Sequence, residues 1–174
     1  MGLCRGLTLV ELLVVIACLA ILLPAGFSGY ASWQQQRRLE HVVQQVHSDI
    51  LRVRQLVLMR QATSPLTIRF FPGEKWCYRL TDQRASSCTD CEADCGIAES
   101  DASWHGRDSR AWPGIQLTEV ALPGQTLGFD ARRGGMTAGS LRFSASVGSR
   151  RLVMSGYGRI RVCGGATEAE ASVC

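Results

Sequence analysis

Gly6-Leu7-Thr8-Leu9-Val10-Glu11-Leu12-Leu13-Val14-Val15 sets a single acid inside a run that is otherwise almost wholly apolar. From Leu7 to Leu23 only Thr8 and Glu11 interrupt it. Six residues, Met1 to Gly6, precede the run, with Arg5 as their only charged side chain. A helix from Leu7 to Tyr30 spans about 36 Å at 1.5 Å per residue, enough to cross a bilayer with some tilt. Arg5 on the short side places that end in the cytoplasm, because cytoplasmic flanks carry the excess of basic residues. The remainder of the 174-residue chain has room for one modest domain.

Three readings of this segment compete. A secretory signal peptide is removed whole after a small-residue cleavage site. Val15-Ile16-Ala17-Cys18 is similar to a lipoprotein cleavage box. The third reading is a retained membrane helix, and Glu11 favours it. A carboxylate at the centre of a bilayer costs about 2.5–3.5 kcal/mol on insertion scales, so it is a functional candidate by default. Neither a signal peptide nor a passive anchor has any use for it. Such a carboxylate is tolerated where a cation of a neighbouring subunit neutralises it, since either charge alone is expensive there, and the pairing would fix subunit register.

The stretch Gly6 to Val15 resembles the signature of the type IV pilin and type II secretion pseudopilin superfamily. The resemblance implies cleavage by a prepilin peptidase between Gly6 and Leu7, N-methylation of Leu7, and a role for Glu11 in assembly. Leu7 stands where the family usually has phenylalanine. The resemblance also implies a bacterial inner-membrane protein with a single pass and a periplasmic head, later a pilus component on the cell surface. Other pilins are its partners through the N-terminal helix.

Beyond Pro24, apolar residues recur at Leu39, Val42, Val43, Val46, Ile50, Val53 and Val57. Spacing of three and four predicts an amphipathic helix over 31–62, its stripe covered by the head. Pro24 is expected to kink or locally melt the long helix. Thr63-Ser64-Pro65 ends it, and 63–174 forms the head. Strands are expected at Leu66–Phe71, Lys75–Leu80, Ile115–Leu122, Gln125–Phe129, Ser140–Phe143, Arg151–Ser155 and Arg159–Cys163, with Gly134-Gly135 as a turn. Residues 82–112 show no period and read as a surface excursion. The class is α+β, a long membrane-spanning helix packed on a small antiparallel sheet.

Charge is segregated along the head. Between Ala131 and Thr167 stand seven arginines and no acid, whereas 82–101 carries six acids against Arg84. On a strand Arg159 and Arg161 share a face, and Arg150 or Arg151 is expected to join them from a neighbouring strand. Such a cluster would hold phosphates by charge-assisted contacts independent of base sequence and weakened by salt. A solvated sheet face with arginine as its usual polar residue is the plainer explanation. Gly158-Arg159-Ile160-Arg161 resembles the GRxR motif of FimT-type minor pilins in the GspH/FimT branch. That resemblance implies non-specific contact with double-stranded DNA during natural transformation. The alternatives are a GspH-like minor pseudopilin of type II secretion, or a structural or priming subunit that binds no DNA.

Eight cysteines are many for this length. Cys77, Cys88, Cys91, Cys95, Cys163 and Cys174 lie on the polar side of the apolar run, as expected of a disulfide-stapled head in an oxidising compartment. Cys88, Cys91 and Cys95 with Cys77 offer four thiolates to zinc, but lack the second CxxC pair of a zinc ribbon, so no metal is expected. The pilin resemblance implies a Cys163–Cys174 bridge closing a C-terminal loop, with Cys77 pairing inside 88–95 and the connectivity there open. His41, His47 and His105 are too dispersed for catalysis, and Trp76, Trp104 and Trp112 read as packing residues. No phosphate loop or serine elbow occurs, so neither a cofactor nor an enzyme activity is expected.

Overall fold

The computed structural model describes residues 9–60, 66–82, 88–92 and 106–164, with backbone alone at 19, 21–28, 60 and 82. The fold is α+β: helix α1 (Leu9–Arg60) followed by eight strands. The chain forms two compact units, residues 1–34 and 35–174.

In the first unit the helical residues Leu9, Val10 and Leu12 to Ile16 each leave more than half their surface exposed. Tyr30 and Trp33 are exposed as well and stack at 6.0 Å between ring centroids. Among the described residues no helix is long and apolar enough to cross a membrane. The expected span 7–30 lies in part outside them, as do the leader 1–6 and the cleavage pair Gly6 and Leu7. The helical assignment runs through Pro24 without a break, so the expected melting does not occur. Proline removes one hydrogen bond of the ladder, and the intact turns on both sides keep the helix continuous.

In the second unit the helical stripe Leu39, Val42, Val43, Val46, Ile50, Val53 and Val57 is fully buried. Its cover is two four-stranded antiparallel sheets where the sequence led us to expect one. The first has the order β3-β2-β1-β5, made of β1 (Leu66–Phe71), β2 (Cys77–Asp82), β3 (Gly106–Asp108) and β5 (Thr126–Gly128). The second has the order β4-β6-β7-β8, made of β4 (Gln116–Ala121), β6 (Gly139–Ala145), β7 (Gly148–Met154) and β8 (Ile160–Cys163). The central strands send alternate residues inward: Ile68 and Phe70 from β1, Leu141 and Phe143 from β6, Leu152 and Met154 from β7. With the helical stripe they form one core.

Trp76 joins the two sheets. Its ring stacks on Trp112 at 5.7 Å and meets Phe143 edge-on at 5.4 Å, while its Nε1 donates to the Ile115 carbonyl at 2.8 Å. Gly73 N adds a backbone bond to Leu117 O at 3.0 Å. Because Glu74 and Lys75 complete that turn, β2 begins at Cys77 and not at Lys75.

Strand β3 lies inside the segment expected to be irregular. Gly-Arg-Asp carries no hydrophobic alternation, and a polar anchor holds it. Asp49 of α1, only 3% exposed, accepts from Tyr78 Oη at 2.8 Å, Arg107 Nε at 2.7 Å and Gln45 Nε2 at 3.2 Å. Tyr78 and Arg107 are register partners across β2 and β3. Burial first, then the Asp49 carboxylate, pushes the Tyr78 hydroxyl far above its ordinary value. The hydrogen bond to Asp49 raises Arg107.

Cys77 and Cys91 form a disulfide. Cys88 and Cys163 are also disulfide-bonded, and Cys95 and Cys174 lie outside the described residues. The Cys77–Cys91 bond takes two of the four thiols that a zinc site would have required.

Candidate functional site

The chemistry expected of the head rests on four arginines, and the strand register divides them. Arg150 lies opposite Phe143 and turns to the helix, its Nη2 3.6 Å from Glu40 Oε1. Arg151 lies opposite Arg142, and both meet one carboxylate on β4: Glu119 Oε2 is 3.3 Å from Arg151 Nη2 and 3.0 Å from Arg142 Nε. Adjacent residues on a strand face opposite ways, so Arg150 and Arg151 cannot both join an outer cluster. Each is held by an acid of this same chain.

Arg159 and Arg161 are arranged differently. Both are exposed, and neither guanidinium has a hydrogen-bond or ion-pair partner among the described residues. Arg161 stands opposite Val153 on β7, while Arg159 closes the β7–β8 turn. There Ser155 N donates to Arg159 O at 2.9 Å, Gly158 N to Ser155 O at 3.0 Å, and Arg159 N to Ser155 Oγ at 3.2 Å. With Val153 and Tyr157 the two arginines line a shallow depression of about 350 Å³.

The glycine of the motif is required by the backbone. Gly158 adopts φ +82°, and a Cβ there would sit 2.8 Å from both the Arg54 guanidinium and Gly134 O. Arg54 of α1 donates through Nε to Gly134 O at 2.8 Å and through Nη1 to Gly158 O at 3.2 Å. One buried-side cation thus ties the β7–β8 turn to the loop 130–135, as does Met136 N donating to Gly156 O at 3.2 Å.

The sequence reading passed over Tyr157 and Arg133. Tyr157 is 95% exposed at the tip of the turn. It lines the arginine depression on one side and, on the other, a second of about 550 Å³ whose lining includes Arg133. A signal was present, because a tyrosine between Gly156 and Gly158 in a tight turn has no neighbour to pack on. Asp130 is the acid beside Arg133. Its carboxylate accepts from the backbone amides of Arg132 and Arg133, which holds its pKa below the ordinary carboxylate value. That carboxylate caps its own turn.

Glu11 lies in the first turn of α1, among the exposed Leu9, Val10, Leu12 and Leu13. An exposed apolar surface of this extent marks a site of interaction with a membrane or with other protein chains.

No curated protein and no solved structure matches the chain. Residues 1–23 match the family model for the prokaryotic N-terminal methylation motif, which supports a type IV pilin-like or pseudopilin-like protein. The motif implies processing by a prepilin peptidase, anchoring in a membrane and assembly with other pilins.

Proposed function

We propose that this chain is a non-catalytic minor pilin of the FimT type, cut between Gly6 and Leu7, methylated at Leu7 and held in the filament through Glu11. Before assembly, residues 7–30 cross the inner membrane once and the head lies in the periplasm. In the pilus the head contacts double-stranded DNA without base specificity. The observation that carries the filament reading is the methylation motif over residues 1–23, with an acid set among exposed apolar side chains. The observation that supports DNA contact is the exposure of Arg159 and Arg161 beside one depression, with no acid among the described residues engaging them. Such groups attract phosphates and release counterions, so binding should weaken steeply as salt rises.

Two measurements test this reading. Glu11→Ala should abolish incorporation into the pilus while leaving the leader removable. In the full chain held in non-ionic detergent, Arg159→Ala with Arg161→Ala should cut duplex affinity and lower the salt slope by about two. Unchanged binding in that double variant ends the DNA reading and leaves the filament reading intact.

A second reading, a GspH-like pseudopilin or a priming subunit, is favoured by the use of Arg142, Arg150 and Arg151 in ion pairs within the head. Deleting the gene and scoring pili, secretion and transformation together separates the two.

A further inference from the structure

Tyr157 leaves almost its whole ring in water, although each neighbouring strand has apolar partners within the fold. Tyrosine is amphipathic, and a ring this exposed at the tip of a hairpin does nothing for the core. It lines two depressions that also carry cations. Arg159 and Arg161 line the first, and Arg133 lines the second. Arg54 holds the two supporting loops together through Gly134 and Gly158, so the arrangement is fixed by the helix. Among the described residues the acid lining that second depression is Asp130, whose carboxylate accepts from the backbone amides of Arg132 and Arg133.

An aromatic face between guanidinium groups is the combination that binds an unpaired nucleic-acid strand: bases stack on the ring, and the phosphates on either side meet the cations. A duplex offers its phosphates to the same arginines but keeps its base faces stacked inside. The ring therefore adds affinity only for a strand with exposed bases.

Resting on the DNA-contact reading above, we propose that Tyr157 is a base-stacking platform, and that with Arg133, Arg159 and Arg161 it makes this surface prefer unpaired over duplex DNA. Arg133 extends the phosphate contacts across the far side of the ring.

The test uses the full chain in non-ionic detergent, with a fifteen-residue oligothymidine and a duplex of equal length as probes, followed by fluorescence anisotropy at low salt. The wild-type chain should bind the oligothymidine more tightly. Tyr157→Ala should weaken that binding roughly fivefold or more, the lower end of the range for loss of one stacked base. Its duplex binding should stay within about twofold, and Tyr157→Phe should restore the strand preference. Arg133→Ala should weaken both probes and reduce the salt slope by about one. The side chain of Tyr157 has no packing to lose, so folding of the Tyr157 variants is not at issue.

Duplex binding with no response to Tyr157→Ala on either probe overturns the stacking proposal alone. If Tyr157→Ala instead lowers pilus incorporation while oligothymidine affinity is unchanged, the ring faces a neighbouring subunit and the proposal fails. Absence of binding to both probes by the wild-type chain overturns the DNA-contact reading together with it.

Discussion

Arg54 donates through Nη1 to the carbonyl oxygen of Gly158 at 3.2 Å, and its guanidinium occupies the space that a Cβ at position 158 would need. A helix residue therefore dictates glycine at the position just before Arg159 in the turn. Gly158→Ala adds a methyl group against Arg54 and forces alanine to φ +82°. It should destabilise the head by more than about 1 kcal/mol in urea unfolding. Gly156→Ala is the control, because its nearest atom, Met136 O, is 4.0 Å away. That variant should leave the unfolding midpoint almost unchanged. Equal loss in both would show that the turn is not clamped.

The Asp49 network makes a prediction about alkaline pH. The Tyr78 hydroxyl has its pKa raised in the fold, by burial and by the carboxylate it donates to. A raised value means that the unfolded state gives up its proton first. The contribution is complete below the ordinary tyrosine value of about 10 and declines as pH rises beyond it. Tyr78→Phe should therefore cost about 1–2 kcal/mol at neutral pH, and the gap to wild type should narrow above about pH 10. Urea unfolding of both proteins between pH 7 and 11 measures it. A gap that widens with pH would contradict the assignment.

The Cys77–Cys91 bond closes a loop of sequence separation 14 at the start of β2. In the chain-entropy model a loop of that length is worth about 3 kcal/mol. Replacing both cysteines by alanine should lower unfolding free energy by roughly that amount without changing the sheet order. Removing Cys77 alone should do no less, since the partner thiol is left free to exchange with the other disulfides. Thiol titration beside urea unfolding gives both quantities.

What was legible in the sequence follows from which forces leave a period behind. The helical stripe from Leu39 to Val57 is the buried face residue for residue, because covering a helix imprints spacing of three and four. Strand β1 falls where alternation placed it, at Leu66–Phe71. Strand β3 left no such mark, since Arg107 is held by Asp49, which lies 58 positions away in the chain. The division of the core between two sheets was equally hidden. Strand partners are chosen by tertiary contacts such as Trp76 against Phe143, which no local pattern encodes. At the site, the sequence offered Arg150 or Arg151 as companions of Arg159 and Arg161, but no local pattern could tell that Glu40 and Glu119 would engage them.

Glu119 is the acid that keeps part of this surface from being more basic. It accepts from Arg151 Nη2 at 3.3 Å and lies 3.0 Å from Arg142 Nε, across the register of β4, β6 and β7. Arg161 follows on β8 opposite Val153, two residues along β7 from Arg151 and so on the same face. Replacing Glu119 by glutamine removes one negative charge and releases two cations on the same sheet as Arg161. If phosphates are drawn by the summed field of this sheet, duplex affinity should rise several-fold at low salt, and the salt slope should steepen. Arg151→Ala should do little in the wild-type background, since its charge is already neutralised, but should undo the gain in the glutamine background. Anisotropy titrations of the four proteins at two salt concentrations make the comparison. A Glu119→Gln chain that binds DNA no better than wild type would show that the arginines of β6 and β7 face too far from the bound backbone to matter, and would confine contact to the β7–β8 turn.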